Sequence, residues 1–267
     1  MGKYFGTDGF RGEANITLTA DHAFRLGRFL GRYCREHDLS LPADGRVAAH
    51  RPRIVVGKDT RRSSYMFEYA MAAGLTASGA DPYMLHVTTT PSVSFVTAQE
   101  DFDCGVMISA SHNPYMDNGI KLVNHRGEKM DDDTTELIEA YLDGGAAALG
   151  LDTADLPVAI GADIGRIEDY AAGRNRYVGY LISLAAHSYK GFRVGLDCAN
   201  GASWMIAKAV FVHDVLRPYV VPLRKRHQDL VSGAVIGEKS GIKMYVRRIV
   251  FRFRYNKRAR DRGDRLI

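Results

Sequence analysis

Ser111, His112 and Asn113 stand together in the run Ile108-Ser109-Ala110-Ser111-His112-Asn113-Pro114, where an apolar stretch ends and Pro114 stops the chain from continuing as strand. A serine hydroxyl is a weak nucleophile unless a base activates it or it arrives already modified. No Gly-x-Ser-x-Gly surrounds Ser111, and no Ser/His/Asp hydrolase pattern stands out. If Ser111 carries a phosphoryl group, its surroundings make chemical sense, because phosphoryl transfer needs positioning and positive charge more than covalent help. His112 adjoins it, Arg11 lies in Gly6-Thr7-Asp8-Gly9-Phe10-Arg11-Gly12, and Lys121 ends Asp117-Asn118-Gly119-Ile120-Lys121. These three would supply donors and positive charge. Unphosphorylated, the same loop reads as a Ser/Asn/Pro turn without chemistry.

The elements that must position these residues follow from periodicity. Ala23, Leu26, Leu30 and Tyr33 recur at helical spacing and predict a helix over 19–37 with Thr19 as its cap. Residues 53–57 predict a buried strand leading into the polar loop Lys58-Asp59-Thr60-Arg61-Arg62, which reads either as an anion-binding loop or as a solvated face. A helix over 63–78 closed by Gly79, a strand over 82–87 and a short helix opening at Thr90-Pro91 follow. Residues 105–108 form the strand that delivers the serine loop, with a strand over 119–123 and a helix over 134–142 after it. Glycines and small residues in 144–150 suggest a linker. Beyond it come a helix over 167–186, a strand over 192–196, a turn at Asp197–Ser203 and a helix through Val210, with Trp204 expected in the core. Strands alternating with helices predict an α/β fold with a parallel or mixed sheet.

Composition, at 46% hydrophobic and 25% charged over 267 residues, is that of an ordinary globular protein of one or two domains. No apolar run is long enough for a membrane span, and an N-terminus of charge and glycine leads to the expectation of a cytoplasmic protein with no membrane partner. Cys34, Cys104 and Cys198 lack CxxC spacing and read as reduced packing residues. His22, His37, His50 and His125 show no metal spacing, and Asp131-Asp132-Asp133 reads as a solvated turn at a helix start. Charge is uneven. Of 36 Lys and Arg and 31 Asp and Glu, residues 212–267 hold 15 and 5, leaving 21 and 26 in residues 1–211. An acidic body thus carries a basic tail, where Pro218 and Pro222 bracket one short β-forming run and Phe251, Phe253 and Tyr255 alternate with arginines. Such a tail reads as an out-of-frame segment, or as a nucleic-acid-binding one on a non-catalytic fragment; no groove-reading motif accompanies it, which makes nucleic acid the weaker partner.

The opening Lys3–Gly12, the Ile-Ser-Ala-Ser-His-Asn-Pro form of the serine loop and Asp117–Lys121 together resemble the α-D-phosphohexomutases, and within them the bacterial phosphoglucosamine mutases, from residue 1 to about residue 211. The resemblance implies an α/β domain I over 1–143 carrying the phosphoserine loop, a linker over 144–165, and an incomplete second α/β domain over 166–211 before the 212–267 tail. It implies an isomerase that interconverts glucosamine 6-phosphate and glucosamine 1-phosphate, through phospho-Ser111 and a bisphosphorylated sugar, in the supply of UDP-N-acetylglucosamine. Ser111 would be the phosphoryl carrier, with His112, Arg11 and Lys121 lining the site and Lys121 or His112 assisting proton movement. Thr7, Asp8, Asn113 and Asn118 would position substrate and loop. Mg2+ would bind the Ser111 phosphate together with carboxylates.

The departures are as informative as the matches. The family's Asp-Gly-Asp-x-Asp-Arg metal loop is not found, and Asp261-Arg262-Gly263-Asp264-Arg265 is only a superficial echo. Gly237-Glu238-Lys239-Ser240-Gly241 resembles the sugar-recognition loop but has Ile242 where histidine belongs. The expectation is therefore a chain with little or no turnover as it stands. Phosphomannose or phosphoglucose specificity, or a phosphosugar phosphatase using the same serine, are the alternatives. The sequence leaves oligomeric state open.

Overall fold

Alternation along each strand sorts the core into two layers around one sheet. The structure, a computed structural model, describes residues 2–36, 51–185, 194–198, 201–212 and 243–246. In β3 (Arg53–Lys58), Ile54 and Val56 point to one face and Val55 to the other. β4 (Asp81–Val87) divides Met84 from Leu85 in the same way, and β5 (Cys104–Ile108) divides Val106 and Ile108 from Met107. Strands buried on both faces need helices on both sides. The first face receives α1 (Ala20–Glu36), α2 (Arg62–Ala77) and α4 (Asp132–Gly144) through Leu26, Leu30, Phe67, Leu75 and Ile138. The second receives α3 (Thr90–Gln99) through Val93 and Val96.

β1 (Phe5–Gly6) and β2 (Gly9–Glu13) form a hairpin whose two-residue turn is Thr7-Asp8, and β6 (Asp117–Asn124) and β7 (Glu168–Asp169) complete the sheet in the order β1-β2-β6-β5-β3-β4-β7. The β5–β3–β4–β7 pairings are parallel, and the β1–β2, β2–β6 and β6–β5 pairings antiparallel. Gly9 adopts φ +92°, and a Cβ there would meet the Ile120 carbonyl at 2.5 Å, so the hairpin can lie this close to β6 only with glycine.

Chain contacts divide the protein into two units, Met1–Tyr177 and Val178–Ile267. In the first, residues 145–149, expected to begin the linker, form a 3-10 turn with Ala146 buried, and the Ala159 and Gly165 N–H groups bond to Ala77 O and Thr76 O of α2. The helix expected from 167 begins instead at Ala171 (α5, Ala171–Ser183), because Glu168 and Asp169 pair as strand with Tyr83 and Met84. In the second unit, β8 (Val194–Asp197) pairs antiparallel with β9 (Lys243–Val246), and α6 (Trp204–Val212) follows a turn in which Gly201 N–H bonds Cys198 O at 2.7 Å. β9 is a strand the tail was not expected to supply. Trp204, expected in the core, is 45% exposed. Cys34 and Cys104, remote in sequence, meet in the core with sulfurs 3.8 Å apart as free thiols. His37, His50, Asn200, Pro218–Pro222, Gly237–Gly241, Phe251–Tyr255 and Asp261–Arg265 lie outside the described residues. No described helix is long and apolar enough to cross a membrane.

The start of α1 is held by a reciprocal cap. His22 N–H donates to Thr19 Oγ1 at 3.3 Å, and Thr19 N–H donates to His22 Nδ1 at 3.1 Å, so histidine fills the place glutamate or glutamine usually takes in a capping box. The ring packs beside Tyr4 and Phe10, and burial, with help from Arg25 and against Asp21, holds its pKa below the ordinary 6.5. A folded pKa below the unfolded one gives stability that is complete above 6.5 and lost as pH falls through the folded value. Urea melts should therefore show wild type losing stability relative to His22→Gln between about pH 7 and about pH 5, since glutamine keeps the acceptor without titrating. A difference that does not change with pH would exclude the neutral imidazole as the capping acceptor.

Candidate active site at the carboxyl edge of the sheet

Lys58 and Ile108 pair as the last residues of adjacent parallel strands β3 and β5. The loops that follow them therefore leave the sheet side by side, at the edge where open α/β sheets bind ligands. Asp59 N–H extends the ladder by one bond, to Ile108 O at 3.0 Å. This juxtaposition brings the Asp59–Arg61 turn against the serine loop.

Arg61 uses all five of its N–H donors. Nε bonds Asp59 Oδ2 at 2.9 Å, Nη1 bonds the carbonyls of Pro114 and Asp117, and Nη2 bonds those of Ser111 and Asn113 at 3.2 and 2.9 Å. Asp59 is as fully engaged. Oδ1 accepts from Arg61 N–H (3.0 Å) and Ser64 Oγ (2.6 Å), and Oδ2 accepts from Arg61 Nε and Ser109 Oγ (2.9 Å). Two of the three cations in the polar loop after β3 are thus engaged within the protein, and only Arg62 keeps the exposure of a solvated face. Lys58 is buried against Glu68 at 3.3 Å, Arg61 is saturated, and Arg62 is exposed at the start of α2.

Ser111 sits on top of this support. Its φ is +60°, unusual for a residue with a Cβ, and its N–H bonds Ser109 Oγ at 3.0 Å. The side chains of Ser111 and His112 are exposed, and the Ser111 hydroxyl makes no hydrogen bond among the described residues. Asn113 braces the loop through Nδ2 to Asp117 Oδ2 at 3.0 Å and accepts from Arg11 Nη1 at 3.4 Å. Asn118 is fully buried: it donates to Ser63 and Ser64 hydroxyls at 2.8 and 2.9 Å and accepts from Gly119 N–H. A Cβ at Gly119 would lie 2.8 Å from Ser109 O and 3.0 Å from Arg11 Cγ, so glycine here lets the serine loop and Arg11 close over β6.

Arg11 pairs with Gly119 across the β2–β6 ladder, and Lys121, two residues on, shares its face as a diagonal neighbour. Asp8 Oδ2 lies 3.1 Å from Arg11 Nη2, while Arg11 Nε is buried without a partner among the described residues. Lys121 is half-buried and makes no hydrogen bond or ion pair among the described residues. Burial, then the Arg11 charge, lowers its pKa from 10.5, and Asp8 partly offsets them. A cavity of about 220 Å³ next to it is lined by Thr7, Asp8, Thr90, Lys121, Lys129 and Thr135 among others; Ser111 and Arg11 are not part of its wall. The structure gathers Arg11, Asp8, Lys121 and Thr7 on one side, and among the described residues their side chains are hydrogen-bonded to the serine loop through Arg11 Nη1 and Asn113 Oδ1. Asp131–Asp133 stand at the N-terminus of α4, exposed as expected, and Asp131 makes no side-chain capping bond.

Asp59, Ser64 and Ser109 escaped the sequence reading as site residues, and Arg61 entered it only as a possible anion ligand. Their polarity after a buried strand was visible, but that β3 lies beside β5 was not.

Residues 2–148 match the model of phosphoglucomutase/phosphomannomutase α/β/α domain I, and the chain belongs to that family. It is 60% identical over 222 residues to a phosphoglucosamine mutase of Lachnospira eligens, covering 83% of this chain and 46% of that protein. With a phosphoglucosamine mutase of Bacillus subtilis it shares 43% identity over 211 residues, 79% of this chain and 43% of that one. The chain thus spans less than half the length of these relatives. A crystal structure of a phosphoglucomutase/phosphomannomutase family protein from Burkholderia thailandensis superposes with a TM-score of 0.61 at 23% identity, over 82% of this chain and 43% of that one, a likeness of fold.

Because Asn118 satisfies two hydroxyls and a backbone N–H in the interior, Asn118→Ala should lower stability by about 1–3 kcal/mol. Urea unfolding measures this, and a change below about 0.5 kcal/mol would mean that water replaces the amide.

Proposed function

We propose that this chain carries the phosphoryl-bearing serine of a phosphosugar mutase of the phosphoglucosamine mutase type. The observation that supports this reading best is Ser111 itself: an exposed hydroxyl on a strand-end loop in a held, left-handed conformation, in a loop that Arg11 contacts through Asn113, with half-buried Lys121 on the same sheet face as Arg11. The names of the similar phosphoglucosamine mutases support glucosamine phosphate as the sugar; UDP-N-acetylglucosamine supply in the cytoplasm is the setting that the family resemblance implies.

In the donating direction, a sugar hydroxyl oxygen bonds to phosphorus as the bond from phosphorus to Ser111 Oγ breaks; the sugar hydroxyl proton passes to a base, and Ser111 Oγ takes up a proton and leaves as the free hydroxyl. The second transfer reverses these events at the other end of the bisphosphorylated sugar. Arg11 and Lys121 would balance charge on the moving phosphoryl group. Lys121 is the better placed proton carrier, because a half-buried cation beside Arg11 gives up its proton more readily than an ordinary lysine. His112, exposed at the loop tip, would donate to the phosphoryl oxygens. Thr7 and Asp8 would set Arg11, while Asn113 and Asn118 hold the loop.

Mg2+ follows from the family resemblance, but the described residues do not fit it. They hold no group of three or more His, Cys, Asp or Glu suited to a metal, and the nearby carboxylates of Asp8, Asp59 and Asp117 are each engaged with Arg11, Arg61 or Asn113. Phospho-Ser111 would be one ligand only, and no step here depends on the ion.

Loading is the test. Protein treated with glucosamine 1,6-bisphosphate, and in parallel with the glucose and mannose bisphosphates, should gain one phosphoryl group at Ser111 by intact mass and peptide mapping. Ser111→Ala should gain none. Absence of phosphate on Ser111 with every donor would sink the reading. In this direction protonated Lys121 returns a proton to the departing sugar oxygen, so the loading rate should fall as pH rises through a value below 10.5, and Lys121→Gln should flatten that limb. A wild-type profile unchanged in Lys121→Gln would remove the lysine from proton transfer.

A further inference from the structure

We infer that Asp59 and Arg61 form a positioning pair that fixes the geometry of Ser111 and binds no substrate phosphate. The inference rests on the reading of Ser111 as phosphoryl carrier. An arginine at the carboxyl edge of a sheet, next to a serine that handles phosphate, would ordinarily be assigned to the substrate. Its donor count excludes that role. All five N–H groups of Arg61 are occupied, one by Asp59 and four by carbonyls of Ser111, Asn113, Pro114 and Asp117. A phosphate could be bound only by releasing the loop that presents the nucleophile. Arg11, with a partnerless Nε, and Lys121, with no partner among the described residues, are the cations with donors to spare.

Asp59 balances the charge of Arg61 and adds a second route to the same residue. Its Oδ2 accepts from Ser109 Oγ, which in turn accepts the N–H of Ser111. Ser111 is therefore gripped at both backbone groups, its carbonyl by Arg61 directly and its N–H by Asp59 through Ser109. That grip sustains the left-handed φ of +60° while the side chain stays exposed. Lysine could not replace the arginine. Its three donors radiate from one nitrogen and cannot span four carbonyls and a carboxylate in a plane.

The test separates positioning from binding. Loading of Ser111 by glucosamine 1,6-bisphosphate is followed in single turnovers over a range of donor concentrations, in wild type, Arg61→Lys, Ser109→Ala and Arg11→Ala. Displacement of a nucleophile by about 1 Å costs about 100-fold in rate. Arg61→Lys should thus lower the saturating rate by about 100-fold and leave the half-saturating donor concentration within about threefold of wild type. Ser109→Ala should lower the same rate by a smaller factor. Arg11→Ala should raise the half-saturating concentration. A raised half-saturating concentration in Arg61→Lys, with the saturating rate kept, would make Arg61 a phosphate ligand and overturn the inference. So would wild-type behaviour in both parameters. Hydrogen exchange without donor reads the same joint independently. Amides of residues 110–117 should exchange at least tenfold faster in Arg61→Lys while those of β3 and β5 stay protected, and unchanged loop protection refutes the inference. If wild type takes up no phosphate, the reading of Ser111 fails while the exchange result still decides whether Arg61 holds the loop.

Discussion

A guanidinium with every donor filled, facing a carboxylate with every acceptor site filled, is the joint on which this site is built. Arg61 and Asp59 join the ends of two neighbouring parallel strands and leave no polar group of their own for solvent or ligand. Beyond this joint, the serine loop is shaped mainly by hydrogen bonds, among them Asn113 Nδ2 to Asp117 Oδ2, Asn113 N–H to Ala110 O and Asp117 N–H to Pro114 O. Tyr115 is 83% exposed and Met116 45%, so side-chain packing contributes almost nothing there. Backbone carbonyls captured by one planar cation do what a hydrophobic core does elsewhere, and they do it directionally.

That joint also explains how positive charge is divided at this edge. Lys58, Arg61, Arg11 and Lys121 all approach the ends of β3, β5 and β6, yet they are not equivalent. Lys58 is buried with Glu68, which also meets His86 Nδ1 at 3.0 Å, and Arg61 is saturated. Arg11 and Lys121 lie on the sheet face turned toward α3 and keep unused donors. Two cations build the scaffold, then, and two remain available to an anion. Gly119 and Gly9 allow this by letting loop and hairpin approach β6 more closely than any side chain would permit.

Local signals made much of the first unit readable. β-Branched runs ending in glycine or polar turns marked β3, β5 and β6, and three- and four-residue spacing marked α1, because period and punctuation are properties of contiguous residues. Pairing is not such a property. Glu168–Asp169 carries no strand signal, and only its alignment beside Tyr83 and Met84 makes it β7 and delays α5. β9 hid in a basic, arginine-rich stretch and is defined by its pairing with β8. For the same reason Cys34 and Cys104 gave no hint of their contact. The candidate site divides similarly: Ser111, Arg11 and Lys121 announced themselves by motif, while Asp59, Ser64 and Ser109 matter only because β3 neighbours β5. Trp204 shows the limit of composition, since a large apolar side chain on a short helix can face water.

The central claim is that the held loop presents Ser111 to cations left free for a phosphate. Phosphorus NMR of the Ser111-phosphorylated chain, titrated across pH, tests it most directly. A phosphoserine in water has its second ionisation near about pH 6. Beside Arg11 and Lys121 the dianion is favoured, so the ionisation should fall clearly below that value and move back toward it in Arg11→Ala and Lys121→Ala. A resonance that titrates like free phosphoserine, and is unmoved by either substitution, would contradict the claim.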